Sequence, residues 1–351
     1  MSKKQPLTRR QKRLLKKRRR RRILFGIEIV ILLILIAGVF IYAKLGKMNF
    51  TSLDFSKIGV NSGVSNNKVM KGYTTIGLVG LDNRSTKLKS GNSDTMIIAS
   101  INNDTGEVRL ASVFRDTYLD MTTGKFNKAN SAYSTGGPEQ AIKMLNKNLD
   151  LTIEKYISVD FAAMTDAVDL LGGIDIDVDE TEIDHLNNYM VETSKVTGVA
   201  SKPLTHTGLQ TLDGVQATSY CRIRYTAGDD FKRTERQREV IQELVRKAKT
   251  MEISKINDII NAVFPKIATN YSNKELLEMA PQMIGYDIAD TAGFPFDRET
   301  GTISGRGSCV IPVNLAENVR QLHEFLYENY DYTPSSEVQK ISEQITADTG
   351  Y

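Results

Sequence analysis

Ile23 to Ala43 is an unbroken apolar run of 21 residues whose only charge is Glu28, near one end. A helix crossing ~30 Å of hydrocarbon needs ~20 residues, so the run predicts a single transmembrane helix. Residues 1 to 22 hold thirteen Lys or Arg and no acid. That asymmetry puts the tail in the cytoplasm and everything after residue 44 outside. A cleaved signal peptide would have a shorter apolar core and a small-residue cleavage site. Here the run is long and Lys44-Leu45 follows, which predicts an uncleaved anchor.

The tail also conceals the charge of the rest. The chain has 46 basic and 42 acidic residues; without the thirteen of the tail the balance is 33 to 42, a net charge of −9. A basic run beside a span is first a topology signal and an anionic-lipid contact. Aromatic interleaving of the kind a single-strand binder uses is missing, so no nucleic acid is expected. His185, His206 and His323 show no ligand-like spacing, which argues against zinc. Cys221 and Cys309 both fall on the oxidising side, where either a disulfide or two buried thiols is open.

Residues 44–72 are rich in Ser, Asn and Gly without a sustained period and read as an extracellular stalk. Residues 73–330 are long enough for one large domain with a real core. Buried strands are expected at Tyr73–Gly80, Thr95–Ile101 and Glu107–Val113, the last two joined by the turn Asn103-Asp104-Thr105-Gly106. Helices follow from Pro138 to Leu149, from Asp160 as cap to Leu171, from Thr234 to Lys249, from Ile253 to Val263, from Asn273 to Met283, and from Asn314 to Tyr330. Ile174–Val178 alternates as a half-wet strand does, and Cys309–Pro312 is a short closing strand. Intermixed helices and strands predict an α/β/α sandwich around a mixed central sheet. Asp331–Tyr351 is polar and reads as a flexible C-terminal tail.

Two polar clusters carry the chemistry. Asp82 lies just past the first strand and Asp94 just before the second, at strand ends where α/β folds place ligands. Two carboxylates on facing loops suit Mg2+, with Mn2+ as the alternative; each Asp could equally serve a turn or loop cap. Arg115 and Asp116 follow the third strand, and a surface ion pair is the plain alternative. In the second cluster, Cys221-Arg222-Ile223-Arg224-Tyr225 alternates, so Arg222 and Arg224 are expected on one strand face. Gly228-Asp229-Asp230-Phe231 reads as a loop before a helix that puts Arg233, Arg236 and Gln237 on one side. Cations there oppose the helix dipole, whereas a phosphate would be held by arginines and free amides together. A solvated basic face is the competing reading. Lys125 and Asn130 sit in a loop that could reach the same ligand or simply close a turn.

In combination these residues resemble the LytR-CpsA-Psr family. The resemblance rests on Gly80-Leu-Asp82-Asn-Arg84, Ser93-Asp94-Thr95, Phe114-Arg115-Asp116-Thr117, Lys125-x-Asn127 with Ala132-Tyr133, Leu170-Leu-Gly-Gly-Ile174, Leu209 to Gly214, and Arg222-Ile-Arg224 through Asp230-x-x-Arg233-x-x-x-Gln237. It implies a Gram-positive envelope enzyme that moves a glycopolymer (teichoic acid, capsule or another wall polysaccharide) from a polyprenyl pyrophosphate carrier to a peptidoglycan sugar hydroxyl, assisted by Mg2+. It further implies Asp82 and Asp94 as metal ligands, and Arg115, Arg222, Arg224, Arg233 and Gln237 as pyrophosphate ligands. Asp230 becomes a candidate base, Asp116 orients Arg115, and Arg84 and Arg236 are second contacts. Lys232 stands where a glycine is common, and Cys221 where the family is often apolar. The apolar runs Ile76–Leu81, Met96–Ile101 and Phe161–Leu171 could line a lipid channel or simply form core. A lipid-pyrophosphate pyrophosphatase and a non-catalytic anchored regulator or polymer-binding module are the competing functions.

Overall fold

The computed structural model describes residues 48–81, 93–224, 226, 228–251, 258–259, 261–283 and 285–351. The chain divides into two compact units, Met1–Lys47 and Met48–Tyr351, and the described residues belong to the second. The basic tail, the expected span at 23–43, Asp82, Arg84 and most of the expected helix 253–263 lie outside the described residues.

In chain order the elements are β1 (Asn49–Phe50), β2 (Tyr73–Leu81), β3 (Ser93–Asn102), β4 (Glu107–Val113), β5 (Tyr118–Asp120), β6 (Phe126–Lys128), α1 (Ser131–Leu149), β7 (Lys155–Asp160), α2 (Phe161–Leu170), β8 (Ile174–Val178), α3 (Ile183–Thr197), β9 (Gly208–Leu212), α4 (Gly214–Tyr220), α5 (Asp229–Lys249), β10 (Ile267–Thr269), α6 (Asn273–Met283), β11 (Asp287–Phe294), β12 (Arg298–Ile303), β13 (Gly307–Pro312), α7 (Leu315–Tyr327) and α8 (Ser336–Thr349). Seven strands make one mixed sheet in the order β1-β10-β7-β2-β3-β4-β11. β3 pairs antiparallel with β2 and β4, while β7 runs parallel to β2 and β11 parallel to β4.

Period-two alternation sends side chains to both faces of this sheet. Val79, Leu81, Met96 and Ile98 meet one core, shared with Ala141 and Leu145 of α1, Leu322 and Leu326 of α7, and Val338 and Ile345 of α8. Ile76, Ile97, Ala99 and Leu110 meet another, shared with Ile241 of α5 and Leu276 and Met279 of α6. Helices therefore cover both faces of a mixed sheet. A third core joins α2, α3, α4 and the β8–β9 hairpin, and Val240 and Leu244 of α5 reach into it. One helix thus couples the sheet to this subdomain, because adjacent residues on α5 face different cores.

Several local expectations change. The segment from Met48 to Gly72 is no stalk: Leu53, Ile58, Val64 and Met70 are buried in the first core, and β1 pairs with β10. Val64 and Met70 sit on short 3-10 turns and Leu53 and Ile58 flank a third, which leaves no long period to read. The C-terminal residues also pack. Val338, Ile341 and Ile345 form a buried stripe on α8, and fully burying such a side chain is worth roughly 1.5–3 kcal/mol. Asp150, at the left-handed end of α1, accepts from Asn61, from the Ser335 hydroxyl and from the Ser335 amide at 2.6–2.7 Å, tying the first and last segments to one carboxylate. His323 stacks on Tyr332 at 3.6 Å, with Nε2 donating to the Leu149 carbonyl at 3.0 Å. The helix expected at Pro138 is preceded by a helical turn from Ser131, broken at Gly136 and Gly137, where φ is −143° and +66°. Cys221 and Cys309 are free thiols.

Candidate active site

Antiparallel pairing brings the end of β2, the start of β3 and the end of β4 to one edge of the sheet, opposite the start of α5. Asp94 is the centre of the polar cluster there. Its Oδ1 accepts from Arg115 Nη1 at 2.6 Å and its Oδ2 from Arg224 Nη2 at 3.4 Å. Its backbone carbonyl accepts from Arg233 Nη2 at 3.2 Å. Residues from β3, the β4 end, the loop after α4 and the first turns of α5 therefore meet although they are far apart in sequence. Gly80 permits the approach: a Cβ at that position would lie 2.9 Å from Thr95 Cβ.

Asp230 is the second carboxylate. Its Oδ1 is 2.8 Å from Arg233 and 4.0 Å from Arg224 Nε. Among the described residues its Oδ2 is buried without a hydrogen bond, as are Arg115 Nε, Arg233 Nε and Gln237 Oε1. Native interiors leave few such atoms, and a group of them in one place marks ligand chemistry. Burial pushes the Asp230 carboxyl above its ordinary range, against the pull of Arg233, Arg115 and Arg224. Burial also works against the charge on Arg115, but Asp94, Asp116 and Asp230 outweigh it and the net shift is upward.

Arg115, Arg224, Arg233 and Gln237 line a cavity of about 860 Å3. Beyond them the wall is largely apolar, with Thr95, Asp160, Glu192 and Thr218 among its polar residues. Ile97, Leu78 and Ile157 lie in register across three neighbouring strands, and Ile241 comes from α5. Ile97 is three residues along β3 from Asp94, which is ~10 Å at strand rise. Each of the expected channel runs at 76–81, 96–101 and 161–171 contributes part of the lining, through Leu78–Leu81, Ile97, and Phe161 with Met164, and the rest of each run does not line the cavity. The cavity thus joins a cluster of arginines to a mainly apolar stretch.

Arg222 also lines the cavity, but its guanidinium is held by Glu192 at 2.7 Å and Thr193 at 3.0 Å, over the rings of Phe161 and Tyr189. The strand expected at 221–225 does not form over 221–224, and Tyr225 lies outside the described residues. Cys221 and Arg222 turn at the end of α4, and Ile223 and Arg224 follow outside any strand or helix. α5 begins at Asp229, earlier than its apolar spacing indicates, so Asp229 and Asp230 occupy its first turn. Arg236 turns away from the cavity: its nitrogens bind Glu182 at 2.7 Å, the Ile223 carbonyl at 3.2 Å and Thr226 at 2.7 Å. It anchors the 223–226 segment that carries Arg224. Asp116 lies 3.5 Å from Arg115 Nε and 3.2 Å from Lys128 Nζ. Lys128, Tyr189 and Glu192 gave no sequence signal, since nothing local ties β6 or α3 to this edge. Lys125 and Asn130 are not part of the lining; the Asn130 amide instead donates to the Arg115 carbonyl at 2.9 Å.

The described residues contain no group of three acidic, His or Cys side chains fit to hold a metal. Asp94 has the hard oxygen donors Mg2+ prefers, and its expected partner Asp82 lies outside the described residues.

Comparison with known proteins agrees with this picture. A family model described as the LytR_cpsA_psr family matches residues 40–306. The chain is 28% identical to the Bacillus subtilis polyisoprenyl-teichoic acid–peptidoglycan teichoic acid transferase TagV, over 74% of this chain and 65% of that protein. It is 31% identical to biofilm regulatory protein A of Streptococcus mutans, over 69% of this chain and 61% of that protein. The match thus spans under two thirds of the length of these two relatives. The crystal structure of B. subtilis TagV superposes with a TM-score of 0.57 at 25% identity, covering 75% of this chain and 99% of that one.

Proposed function

The chain belongs to the LytR_cpsA_psr family, and on that premise we propose that it is a membrane-anchored extracytoplasmic phosphotransferase. It moves a glycopolymer from a polyprenyl pyrophosphate carrier to a sugar hydroxyl of peptidoglycan. The observation that carries this reading is the cavity itself: Arg115, Arg224 and Arg233, which converge on Asp94, line it together with Leu78, Ile97, Ile157 and Ile241. A lipid pyrophosphate has the same division of charge and hydrocarbon. The name of the B. subtilis relative supports the donor and acceptor classes.

Arg115, Arg224 and Arg233 bind the phosphate oxygens through planar guanidinium forks and offset charge gathering on the departing polyprenyl phosphate. Asp116 and Asp94 hold Arg115 in place. Asp230, with one oxygen on Arg233 and the other buried with no hydrogen bond among the described residues, accepts the proton of the attacking hydroxyl. The P–O bond to the acceptor sugar forms as the bond to the leaving polyprenyl phosphate breaks. Mg2+ or Mn2+, held by Asp94 with Asp82, would add charge neutralisation at the pyrophosphate. The run 23–43 anchors the chain beside the lipid carrier, with residues 1–22 cytoplasmic.

The test supplies the full chain, in lipid nanodiscs, with a synthetic polyprenyl pyrophosphate-linked sugar, Mg2+ and peptidoglycan oligomers, alongside Arg115→Ala and Asp94→Ala. Phosphodiester-linked sugar on the glycan, absent in both variants and after chelation, supports the transferase. Polyprenyl phosphate released without glycan labelling points to the pyrophosphatase. Metal-independent polymer binding without turnover leaves a binding module.

A further inference from the structure

Arg115 and Asp230 come from separate elements, and something must fix their spacing. The start of α5 is poorly suited to do so alone. Its cap, Gly228, is left-handed (φ +89°) and supplies no side-chain hydrogen bond, and Asp229 is itself held at φ +39°. Such a turn frays unless tertiary packing holds it.

The residues flanking the two functional side chains provide that packing. Phe114 precedes Arg115 and Phe231 follows Asp230. Their rings meet edge to face at 4.6 Å. The Arg298 guanidinium lies 4.3 Å from the Phe231 ring centre and 5.0 Å from that of Phe114. Behind Phe114 is Gly293 of β11, where a Cβ would stand 2.5 Å from the ring, so only glycine seats it. Arg298 is itself fixed, because Nη1 donates to the carbonyls of Pro295 and Phe296 at 3.1 Å each. That turn is tied to α7 by paired bonds between Asp297 and Asn318 at 2.9 Å. A rigid path therefore runs from α7 through Arg298 to both ring-bearing neighbours of the reactive pair. Arg298 does not line the cavity among the described residues.

We propose that Arg298 is a positioning residue for the transfer reaction. Its planar cation clamps the first turn of α5 to the end of β4, and so sets the distance between Asp230 and Arg115. This rests on the transferase reading above, but the clamp can be tested apart from it.

The experiment compares the full chain with Arg298→Ala, Arg298→Lys and Phe231→Ala by amide hydrogen exchange, donor kinetics and the pH profile of turnover. Loss of the clamp in Arg298→Ala is expected to speed exchange of residues 230–234 by about tenfold while 240–249 stay unchanged. kcat should fall about tenfold with the donor KM moving no more than about twofold. Phe231→Ala should do the same. Lysine keeps the charge but lacks the flat face, so Arg298→Lys should not restore kcat. Recovery by lysine, or a lowered Tm with kcat, pH profile and first-turn exchange all unchanged, would overturn the clamp. If the unaltered protein shows no turnover, the transferase reading fails, and first-turn exchange in Arg298→Ala still decides the clamp.

Discussion

Arg233 and Arg236 stand one turn apart on α5 and are almost equally hidden, 2% and 1% exposed. Their surroundings differ in kind. Arg236 has Glu182, a carbonyl and a hydroxyl, so each of its three nitrogens has a partner. Arg233 reaches Asp230 and the Asp94 carbonyl, yet its Nε has no hydrogen bond among the described residues and it lines the cavity. The same residue type at the same depth holds the fold together in one place and is poised for an anion in the other. Satisfaction of the donors, rather than burial or charge, separates the two. Unmade hydrogen bonds at a buried cation are costly to folding, and they persist where function uses them.

The sharpest way to break this contrast is to remove each arginine in turn. Arg233→Ala or Arg115→Ala should lower turnover by about 10²–10³, the scale for losing one preorganised donor at developing charge. Each also pairs a carboxylate, Arg233 with Asp230 at 2.8 Å and Arg115 with Asp94 at 2.6 Å, so Tm should fall as well. The drop should be smaller than in Arg236→Ala, because Nε of each already lacks a hydrogen bond among the described residues, and a larger drop at Arg233 than at Arg236 would erase the distinction. Arg236→Ala should do the reverse. It strands Glu182, which is 3% exposed, and breaking a buried pair costs about 3–5 kcal/mol. Denaturant titration measures that cost, and turnover per folded molecule should fall far less than in Arg233→Ala.

A structural titration sharpens the comparison further. Burial pushes His323 down to about 4 from its ordinary 6.5. The unfolded chain therefore takes up the proton first as the pH falls between those values. Stability is full above pH 6.5 and declines toward pH 4, by on the order of 3 kcal/mol if the whole shift counts. His323→Asn should flatten that dependence in urea titrations across the window. Asp230 shifts the other way, upward, because burial disfavours its charge. Its deprotonated form is lost at a pH above the ordinary carboxylate range, so the acid limb of kcat/KM should lie above that range. Asp230→Asn should abolish that limb along with most of the turnover. A limb at the usual carboxylate position would remove Asp230 from the role of base.

The sequence was most legible where chemistry is local. Asp94, Arg115, Arg233 and Gln237 were singled out by residue type and position near strand or helix ends, and Arg224 by the alternation of a strand that does not form; all five line one cavity. Strands β2, β3 and β4 followed from apolar runs and a Gly turn, and α2 from its Asp160 cap. Legibility failed where partners are remote. Arg236 shares the helix with Arg233, and spacing alone gives it the same role; only Glu182, 54 residues away, turns it aside. The C-terminal residues looked too polar to pack, because three buried residues on α8 suffice once α1 and α7 offer a surface.

By itself the amino-acid sequence determined the alternation that makes a mixed sheet with two buried faces, the helix caps and turns, and the residue types that can bind a pyrophosphate. These depend on neighbours a few positions away, where propensity and period act directly. The tertiary structure alone decided which arginines stay unsatisfied, that the segments before Tyr73 and after Tyr330 close on Asp150, and that Arg298 stands behind the reactive pair. Each of those is a long-range contact between elements with no local signal for one another, and only the packed chain brings them within hydrogen-bonding or stacking distance.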